Sequence, residues 1–244
     1  MRFGFIGNGR IAGRHKEAIK RIGGTLERIY DPATALANDA FRPEGSCKAL
    51  DSEFFDAVDW VVIASPTKCH YDNVKAALGR GKMVICEKPY CLPWQPIIDS
   101  PNVFVVMQMR WADLPNTAKK IRVVAARNEE YFRSWKGDPY QTGGLFFDIF
   151  IHYVDLARRY KCELEMLVVD HGTQERWIDD FCLMDIDMNL AYEAMYRDIV
   201  LRGVGTRPSQ VAELHWMLAR YTERFGFGQE IVGKVLKVSP SGLV

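Results

Sequence analysis

Several features that would assign a chain to a special class are missing from this sequence. Its 244 residues contain no apolar run close to the roughly 20 residues that a membrane-spanning helix needs. They also contain no internal repeat and no low-complexity segment. The apolar start at Phe3 is interrupted by Asn8 and Arg10, so it does not predict a secretory signal peptide. We therefore expect a cytoplasmic protein with no membrane partner.

The sequence also lacks an excess of charge of one sign and any closely spaced pair of cysteines. The 32 Lys and Arg residues balance 31 Asp and Glu residues, which gives a net charge of +1. This balance argues against the basic surface that binds nucleic acids or membranes. The six cysteines are scattered, and no two of them form a Cys-x-x-Cys pair. Reduced thiols are therefore expected rather than a zinc site.

The most informative feature that is present is a glycine turn, Gly7-Asn8-Gly9-Arg10-Ile11-Ala12. It follows a short apolar run, 3–6, and leads into a helix-compatible stretch. This is the order of a dinucleotide-binding βαβ unit. Gly7 lets the strand turn sharply, Gly9 leaves room for a pyrophosphate, and Ala12 keeps helix and strand close. The N-terminus of the helix then offers N–H groups to the phosphates.

Asp31 follows the turn by about twenty residues, at the end of the second predicted strand. A carboxylate at that position accepts hydrogen bonds from a ribose diol and repels a 2′-phosphate. The sequence therefore predicts NAD rather than NADP as the cofactor.

The first half of the chain alternates strand-like and helix-like segments, which predicts a doubly wound parallel sheet. The predicted strands are 3–6, 26–30, 48–50, 57–64, 83–86 and 103–107. After Arg110 the pattern changes to a mixture of strands at 121–126, 163–170 and 181–187 and helices at 145–160, 189–201 and 209–225. We predict an α/β chain with a nucleotide-binding domain at 1–112 and a smaller α+β domain at 113–244.

The first candidate for chemistry is Glu87-Lys88-Pro89, just past the predicted strand 83–86. Ligands of open α/β sheets bind at the carboxyl ends of the strands. A lysine there could hold a substrate hydroxyl, and its charge could lower the pKa of a neighbouring base. A solvent-exposed loop lysine is the alternative interpretation.

The second candidate combines Asp148, His152 and Asp155, which share one face of the predicted helix at spacings of i, i+4 and i+7. A carboxylate one turn before a histidine suits a general base, because it holds the tautomer and stabilises the imidazolium. The same spacing also suits a metal ion. A capping aspartate and a partly buried histidine would give the same pattern.

The third candidate, Ser65-Pro66-Thr67 with His70, follows the strand 57–64. It lies at the same predicted sheet edge, where Thr67 or His70 could contact ribose or nicotinamide. A helix start with an N-cap would also explain these residues.

In their order and spacing, these motifs resemble one family, the glucose–fructose oxidoreductase / inositol dehydrogenase (Gfo/Idh/MocA) family. The resemblance implies a Rossmann domain with bound NAD and a catalytic pair formed by Lys88 and His152, with Asp148 orienting His152. It also implies cofactor contacts from the Gly7–Ala12 turn, Asp31, Ser65-Pro66-Thr67, His70 and Glu87-Lys88. The chain is shorter than usual members, and the resemblance places the missing parts between Trp111 and Lys120 and between Arg176 and Asn189.

A finer resemblance lies in Arg14-His15, in the run Ser134-Trp135-Lys136-Gly137-Asp138-Pro139 and in Tyr196-Arg197-Asp198-Ile199. These look like a bacterial branch that oxidises the 3-hydroxyl of UDP-N-acetylglucosaminuronic acid for surface-polysaccharide synthesis. That branch implies a homo-oligomer, a dimer or tetramer, and a nucleotide-sugar substrate. Alternative hypotheses are a dehydrogenase of a free sugar, cyclitol or other small carbonyl compound, and an NAD-binding sensor without turnover.

The charged end of such a substrate would need cations. Guanidinium and ammonium groups suit a carboxylate or a pyrophosphate. The candidates are Arg14, Arg110, Trp135 and Lys136. Surface charges and a core tryptophan are the alternative interpretation of these four residues.

Overall fold

The computed structural model describes residues 1–32, 45–239 and 242–243. It divides into two compact units. The first unit consists of Met1–Cys91, Gln95–Trp111 and Met188–Val211. The second consists of Leu92–Trp94, Ala112–Asp187 and Ala212–Val244.

The first unit is built on a six-stranded sheet in which every pairing is parallel. Its strands are β1 (Arg2–Ile6), β2 (Thr25–Tyr30), β3 (Ser46–Cys47), β4 (Trp60–Ile63), β5 (Met83–Cys86) and β6 (Val103–Val105). Their order is β3-β2-β1-β4-β5-β6, the order of a doubly wound nucleotide-binding sheet. Its α-helices are Ala12–Arg21, Ser52–Asp56, His70–Gly79 and Met188–Tyr196, with 3-10 turns at Thr67–Cys69 and Gln108–Trp111. The predicted fold class is confirmed.

A segment from the second half of the chain completes the core of this unit. The helix Met188–Tyr196 and the π-helix Arg197–Leu201 bring Tyr192, Met195, Tyr196 and Ile199 into one buried cluster with residues of β1 and β4. Burying this apolar face is the dominant stabilising term for such a helix. The predicted division at 112/113 did not place this segment with the first sheet.

The second unit contains a mixed six-stranded sheet. Its strands are β7 (Lys120–Ala126), β8 (Glu163–Val169), β9 (Glu175–Ile178), β10 (Phe181–Cys182), β11 (Val235–Ser239) and β12 (Gly242–Leu243). They run in the order β10-β9-β7-β8-β11-β12, and only β7 and β8 pair in parallel. Its helices are Glu129–Arg133, Pro139–Thr142, Ile151–Tyr160 and most of Pro208–Phe225, with a π-helix at Phe146–Phe150 and 3-10 turns at Trp135–Gly137, Leu183–Asp185 and Gln229–Ile231.

Two predicted strands were wrong. The predicted strand 48–50 is displaced, because the chain pairs with β2 only through Ser46 and Cys47 and then leaves the sheet. The predicted strand 181–187 stops after Cys182, where Leu183–Asp185 forms a 3-10 turn. The predicted helix 145–160 is present, but it starts as the π-helix Phe146–Phe150, which changes the angular spacing of the side chains on its first turn.

Candidate active site

The glycine turn lies where β1, β2 and β4 end. The Gly7 N–H donates to the Tyr30 carbonyl over 2.8 Å, and Gly7 has a φ of 96°. A Cβ at Gly7 would lie 2.6 Å from the backbone nitrogen of Ser65, so no side chain fits there. A Cβ at Gly9 would meet nothing within 4 Å. The backbone beside Gly9 is therefore open to an approaching group.

The helix Ala12–Arg21 begins directly after the glycine turn, without a side-chain cap. Its N-cap, Ile11, has no side chain that could accept a hydrogen bond, and the first turn contains no acidic residue. Arg10 is exposed beside it, and Ala12 is 1% exposed against the sheet. Free N–H groups and the positive end of the helix dipole are what a phosphate group binds.

Asp31 is held against the turn directly. Its Oδ2 accepts a hydrogen bond from the Asn8 backbone N–H over 2.7 Å. The Lys16 Nζ donates to the Asn8 Oδ1 over 2.6 Å, and burial lowers the pKa of this lysine. These contacts fit an NAD molecule, since the turn and the open Gly9 would receive its pyrophosphate and Asp31 its ribose diol.

Two polar side chains that follow β4, Thr67 and His70, are buried. Thr67 is 4% exposed and His70 is 1% exposed. The Nδ1 of His70 lies 2.8 Å from the Pro89 carbonyl, and its Nε2 lies 2.8 Å from the Ser65 carbonyl. Burial lowers the pKa of His70 by more than the hydrogen bonds to these two carbonyls raise it. His70 thus connects the loops after β4 and β5, and cofactor contacts by Ser65, Pro66, Thr67 and His70 stay a prediction.

Glu87, Lys88 and Pro89 directly follow β5, at the carboxyl edge of the sheet. Glu87 is 5% exposed, whereas Lys88 is half-buried. The Glu87 N–H donates to the Ile63 carbonyl at the end of β4 over 2.9 Å. The peptide bond between Lys88 and Pro89 is cis. The lysine loop, Glu87-Lys88-Pro89, is therefore fixed by backbone contacts on the same edge as the glycine turn.

A network that the motif pattern did not predict surrounds the Glu87 carboxylate. Its Oε1 lies 2.9 Å from the His15 Nε2 and accepts a hydrogen bond from the Tyr192 hydroxyl over 2.9 Å. Its Oε2 accepts from the Lys88 backbone N–H over 3.0 Å. The His15 Nδ1 lies 2.7 Å from the Tyr196 hydroxyl. The sequence offered His15 and Tyr196 only as parts of short motif resemblances.

In the second unit, Asp148 lies in the π-helix and His152 in the α-helix that continues it. His152 is 8% exposed, and Asp148 is half-buried. The Tyr131 hydroxyl donates to the Asp148 Oδ2 over 2.6 Å. The sequence did not indicate a role for Tyr131, which lies in the short helix Glu129–Arg133, whose N-cap is Asn128. The orientation of His152 by Asp148 stays a prediction.

The two glycines before this segment, Gly143 and Gly144, determine where it begins. Gly143 and Gly144 have φ values of 82° and 90°. A Cβ at Gly144 would lie 2.7 Å from the Phe227 carbonyl oxygen, which accepts a hydrogen bond from the Leu145 N–H over 2.9 Å. The close approach of the 227 backbone therefore requires glycine, and it fixes the start of the segment that carries Asp148.

The four candidate substrate residues differ in their surroundings. Arg14 is exposed on the helix Ala12–Arg21. The Arg110 Nη1 donates to the Thr206 Oγ1 over 3.2 Å. Trp135 is 40% exposed, and the Lys136 Nζ lies 5.8 Å from the centroid of its ring. Their roles toward a substrate stay predictions.

Two classes of site find no support in the described parts of the chain. Residues 1–32, 45–239 and 242–243 include no cluster of three or more His, Cys, Asp or Glu that could hold a metal ion. Within the same ranges, no helix has the length and apolar character needed to cross a membrane.

The strand order, the glycine turn and the carboxylate after β2 define a dinucleotide-binding Rossmann fold. Residues 1–99 match the family model Gfo/Idh/MocA, described as an oxidoreductase family with an NAD-binding Rossmann fold. The motif resemblance and the choice of NAD are confirmed at this level.

Individual relatives share shorter parts of the sequence. Glucose-6-phosphate 3-dehydrogenase of Bacillus subtilis (strain 168) is 34% identical over 94 residues, which are 37% of this chain and 27% of the relative. Inositol 2-dehydrogenase of Rhizobium meliloti (strain 1021) is 26% identical over 180 residues, 65% of this chain and 54% of the relative. The chain thus aligns with about a quarter to a half of the length of these curated relatives.

Solved structures resemble nearly the whole chain. The WlbA (WbpB) dehydrogenase from Thermus thermophilus, in complex with NAD and UDP-GlcNAcA, superposes with a TM-score of 0.68 at 23% identity, covering 91% of this chain and 94% of that one. A myo-inositol dehydrogenase from Corynebacterium glutamicum ATCC 13032 gives a TM-score of 0.64 at 17% identity, covering 93% and 96%. At these identities the likeness establishes the fold.

Proposed function

We propose that this protein is an NAD-dependent oxidoreductase that oxidises a hydroxyl group of a sugar. The observation that carries this proposal lies in the first unit. There, the glycine turn bound to Asp31 and the lysine loop both stand at the carboxyl ends of strands of one parallel sheet. Ligands of such sheets bind at that edge.

NAD, when bound, supplies the acceptor for the hydride that leaves the carbinol carbon. In this chain the Gly7–Ala12 turn would hold the pyrophosphate, and Asp31 would hold the adenosine ribose. Lys88 hydrogen-bonds the reacting hydroxyl oxygen and stabilises the negative charge that develops there. His152 accepts the hydroxyl proton, and Asp148 orients His152.

The catalytic assignment is tested with Lys88→Ala and His152→Ala. Each should lower kcat by about 10²- to 10⁴-fold, measured from the absorbance of NADH. Lys82→Ala is the matched control for the first variant, because Lys82 precedes β5 at the opposite edge of the sheet. His171→Ala is the control for the second, because His171 is exposed. Near wild-type turnover in both site variants would refute the assignment.

For the substrate, we propose the 3-hydroxyl of a UDP-N-acetyl-hexuronic acid, within the synthesis of surface-polysaccharide sugars. The motif resemblance at 134–139 and the fold shared with a dehydrogenase bound to UDP-GlcNAcA support this choice. Arg14, Arg110, Trp135 and Lys136 would bind its carboxylate or pyrophosphate. The same resemblance supports a homo-oligomer, a dimer or tetramer.

The sequence relatives support a second candidate, since two of them act on inositol and on glucose 6-phosphate. Calorimetric titration with UDP-sugars, sugar phosphates and inositols in the presence of NADH separates the candidates. Binding of UDP-N-acetylglucosaminuronic acid with NADH production on mixing with NAD is the expected result. Binding without NADH production would favour a sensor, and no binding of any UDP-sugar would exclude the nucleotide-sugar assignment.

A further inference from the structure

The buried network around Glu87 joins three distant segments of the first unit. His15 comes from the helix after the glycine turn, Glu87 from the lysine loop, and Tyr192 and Tyr196 from the helix Met188–Tyr196. His15 and Tyr196 are 0% exposed, Tyr192 is 1% and Glu87 is 5% exposed. The His15 ring also packs edge-on against the rings of Tyr192 and Tyr196, with centroids 5.0 and 5.7 Å apart.

The hydrogen bonds of this network satisfy the Glu87 carboxylate. A buried carboxylate is costly unless hydrogen bonds satisfy it. Here every group has a partner, because the His15 Nε2–H donates to Glu87 while its Nδ1 pairs with the Tyr196 hydroxyl. Burial would raise the pKa of Glu87, but the hydrogen bond and the Coulomb attraction of His15, the Lys88 charge and the Tyr192 hydroxyl outweigh it and lower the pKa to about 2. The carboxylate is therefore ionised.

The ionised Glu87 carboxylate also contacts the backbone of Lys88. Its second oxygen, Oε2, accepts the backbone N–H of Lys88 over 3.0 Å. Its first oxygen, Oε1, is held by His15 and Tyr192, so Glu87 cannot rotate without breaking these contacts. His70 holds the other end of the same loop through the Pro89 carbonyl, 2.8 Å from its Nδ1.

We propose that His15, Tyr192 and Tyr196 are positioning residues, which fix Glu87 and through it the backbone of Lys88. The catalytic role of Lys88 rests on the proposed function, whereas the contacts that hold its backbone do not depend on it. It gives the helix Met188–Tyr196 a role beyond packing, since this helix supplies the hydroxyl that binds Glu87 and the hydroxyl that binds His15.

The direct test uses cofactor-free protein labelled with ¹⁵N-lysine, in which the Lys88 amide is identified by its loss in Lys88→Arg. At neutral pH, the chemical shift of this amide in Tyr192→Phe and in His15→Phe should differ from that of the wild type, because Glu87 has lost a hydrogen-bond donor and is no longer held in the same position. An unchanged amide in both variants would overturn the proposal.

Activity gives the second readout. Tyr192→Phe should lower kcat by roughly tenfold while the NADH dissociation constant changes by less than about threefold. Tyr221→Phe is the matched control, because Tyr221 is 2% exposed and its hydroxyl has no hydrogen-bond partner among the described residues. A fall in kcat no larger than in this control would contradict a positioning role.

The double variant Lys88→Ala/Tyr192→Phe separates the positioning role from the proposed function. If Tyr192 acts through Lys88, the double variant should turn over no more slowly than Lys88→Ala alone. A further loss of rate in the double variant would contradict positioning through Lys88. If Lys88→Ala itself turns over like the wild type, the proposed function fails, whereas the amide measurement still decides the contacts on its own.

Discussion

The glycine turn permits a prediction in which three neighbouring glycines behave differently when changed to alanine. At Gly7, with a φ of 96°, an L side chain costs about 1–3 kcal/mol in backbone strain. The added Cβ would also lie 2.6 Å from the Ser65 nitrogen and 2.7 Å from the Ala64 carbonyl oxygen, which are backbone atoms that cannot rotate away. We expect Gly7→Ala to lower the free energy of unfolding by at least about 3 kcal/mol.

Gly9→Ala and Gly13→Ala are the matched comparisons, because a Cβ at either glycine meets nothing within 4 Å. Both should unfold within about 1 kcal/mol of the wild type, and Gly13→Ala should be the more stable because alanine favours the helix. Gly9→Ala should nevertheless bind NADH at least about tenfold more weakly, because its methyl group stands where the pyrophosphate is proposed to lie.

Thermal unfolding and fluorescence titration with NADH check the series. A loss of 3 kcal/mol corresponds to a fall in Tm of about 6–12 °C for a chain of this size. A Gly7→Ala protein as stable as the wild type would refute the argument from backbone strain. Wild-type NADH affinity in Gly9→Ala would refute the placement of the phosphate cradle.

Three further predictions follow from single side chains. Asp31→Ser should improve the affinity for NADPH relative to NADH by about tenfold or more, because the carboxylate that repels a 2′-phosphate is gone; equal ratios in both proteins would contradict this. Glu87 has its pKa lowered to about 2, so its stabilising effect is present at neutral pH and is lost as the pH falls from about 4.5 toward 2. Urea unfolding should therefore find Glu87→Gln less stable by roughly 3 kcal/mol at neutral pH, with the gap closing in acid. Burial lowers the pKa of His215 to about 4, and its ring packs edge-on against Phe147. This histidine should destabilise the second unit as the pH falls from about 6.5 toward 4, and His215→Leu should weaken that pH dependence.

Local signals in the sequence were enough for the first sheet. The apolar runs, the glycine turn and Asp31 each depend on residues close together in the chain, and the structure has β1, β2, β4, β5 and β6 near the predicted places. The unpredicted strands β9 and β11 are short and only partly buried, so their periodicity was weak. A π-helix cannot be told from an α-helix by an apolar pattern, because Phe146–Phe150 is buried almost throughout.

The contacts of the candidate site were harder to foresee. The Lys88 and His152 motifs were visible because each stands in a recognisable local pattern. The partners of these motifs come from elsewhere in the sequence: Tyr131 precedes Asp148 by 17 residues, and Tyr192 follows Glu87 by 105. Such pairs depend on tertiary packing, which a periodic pattern does not encode.

The most direct test of the central claim follows the hydride itself. The protein is mixed with NAD and UDP-N-acetylglucosaminuronic acid deuterated at C3, and the reduced nucleotide is analysed by mass spectrometry. We expect deuterated NADH from this substrate, unlabelled NADH from the substrate deuterated at C4, and neither product above background from Lys88→Ala. Failure to form NADH from this sugar and from every other sugar or inositol tested would contradict the claim that the protein is a sugar dehydrogenase.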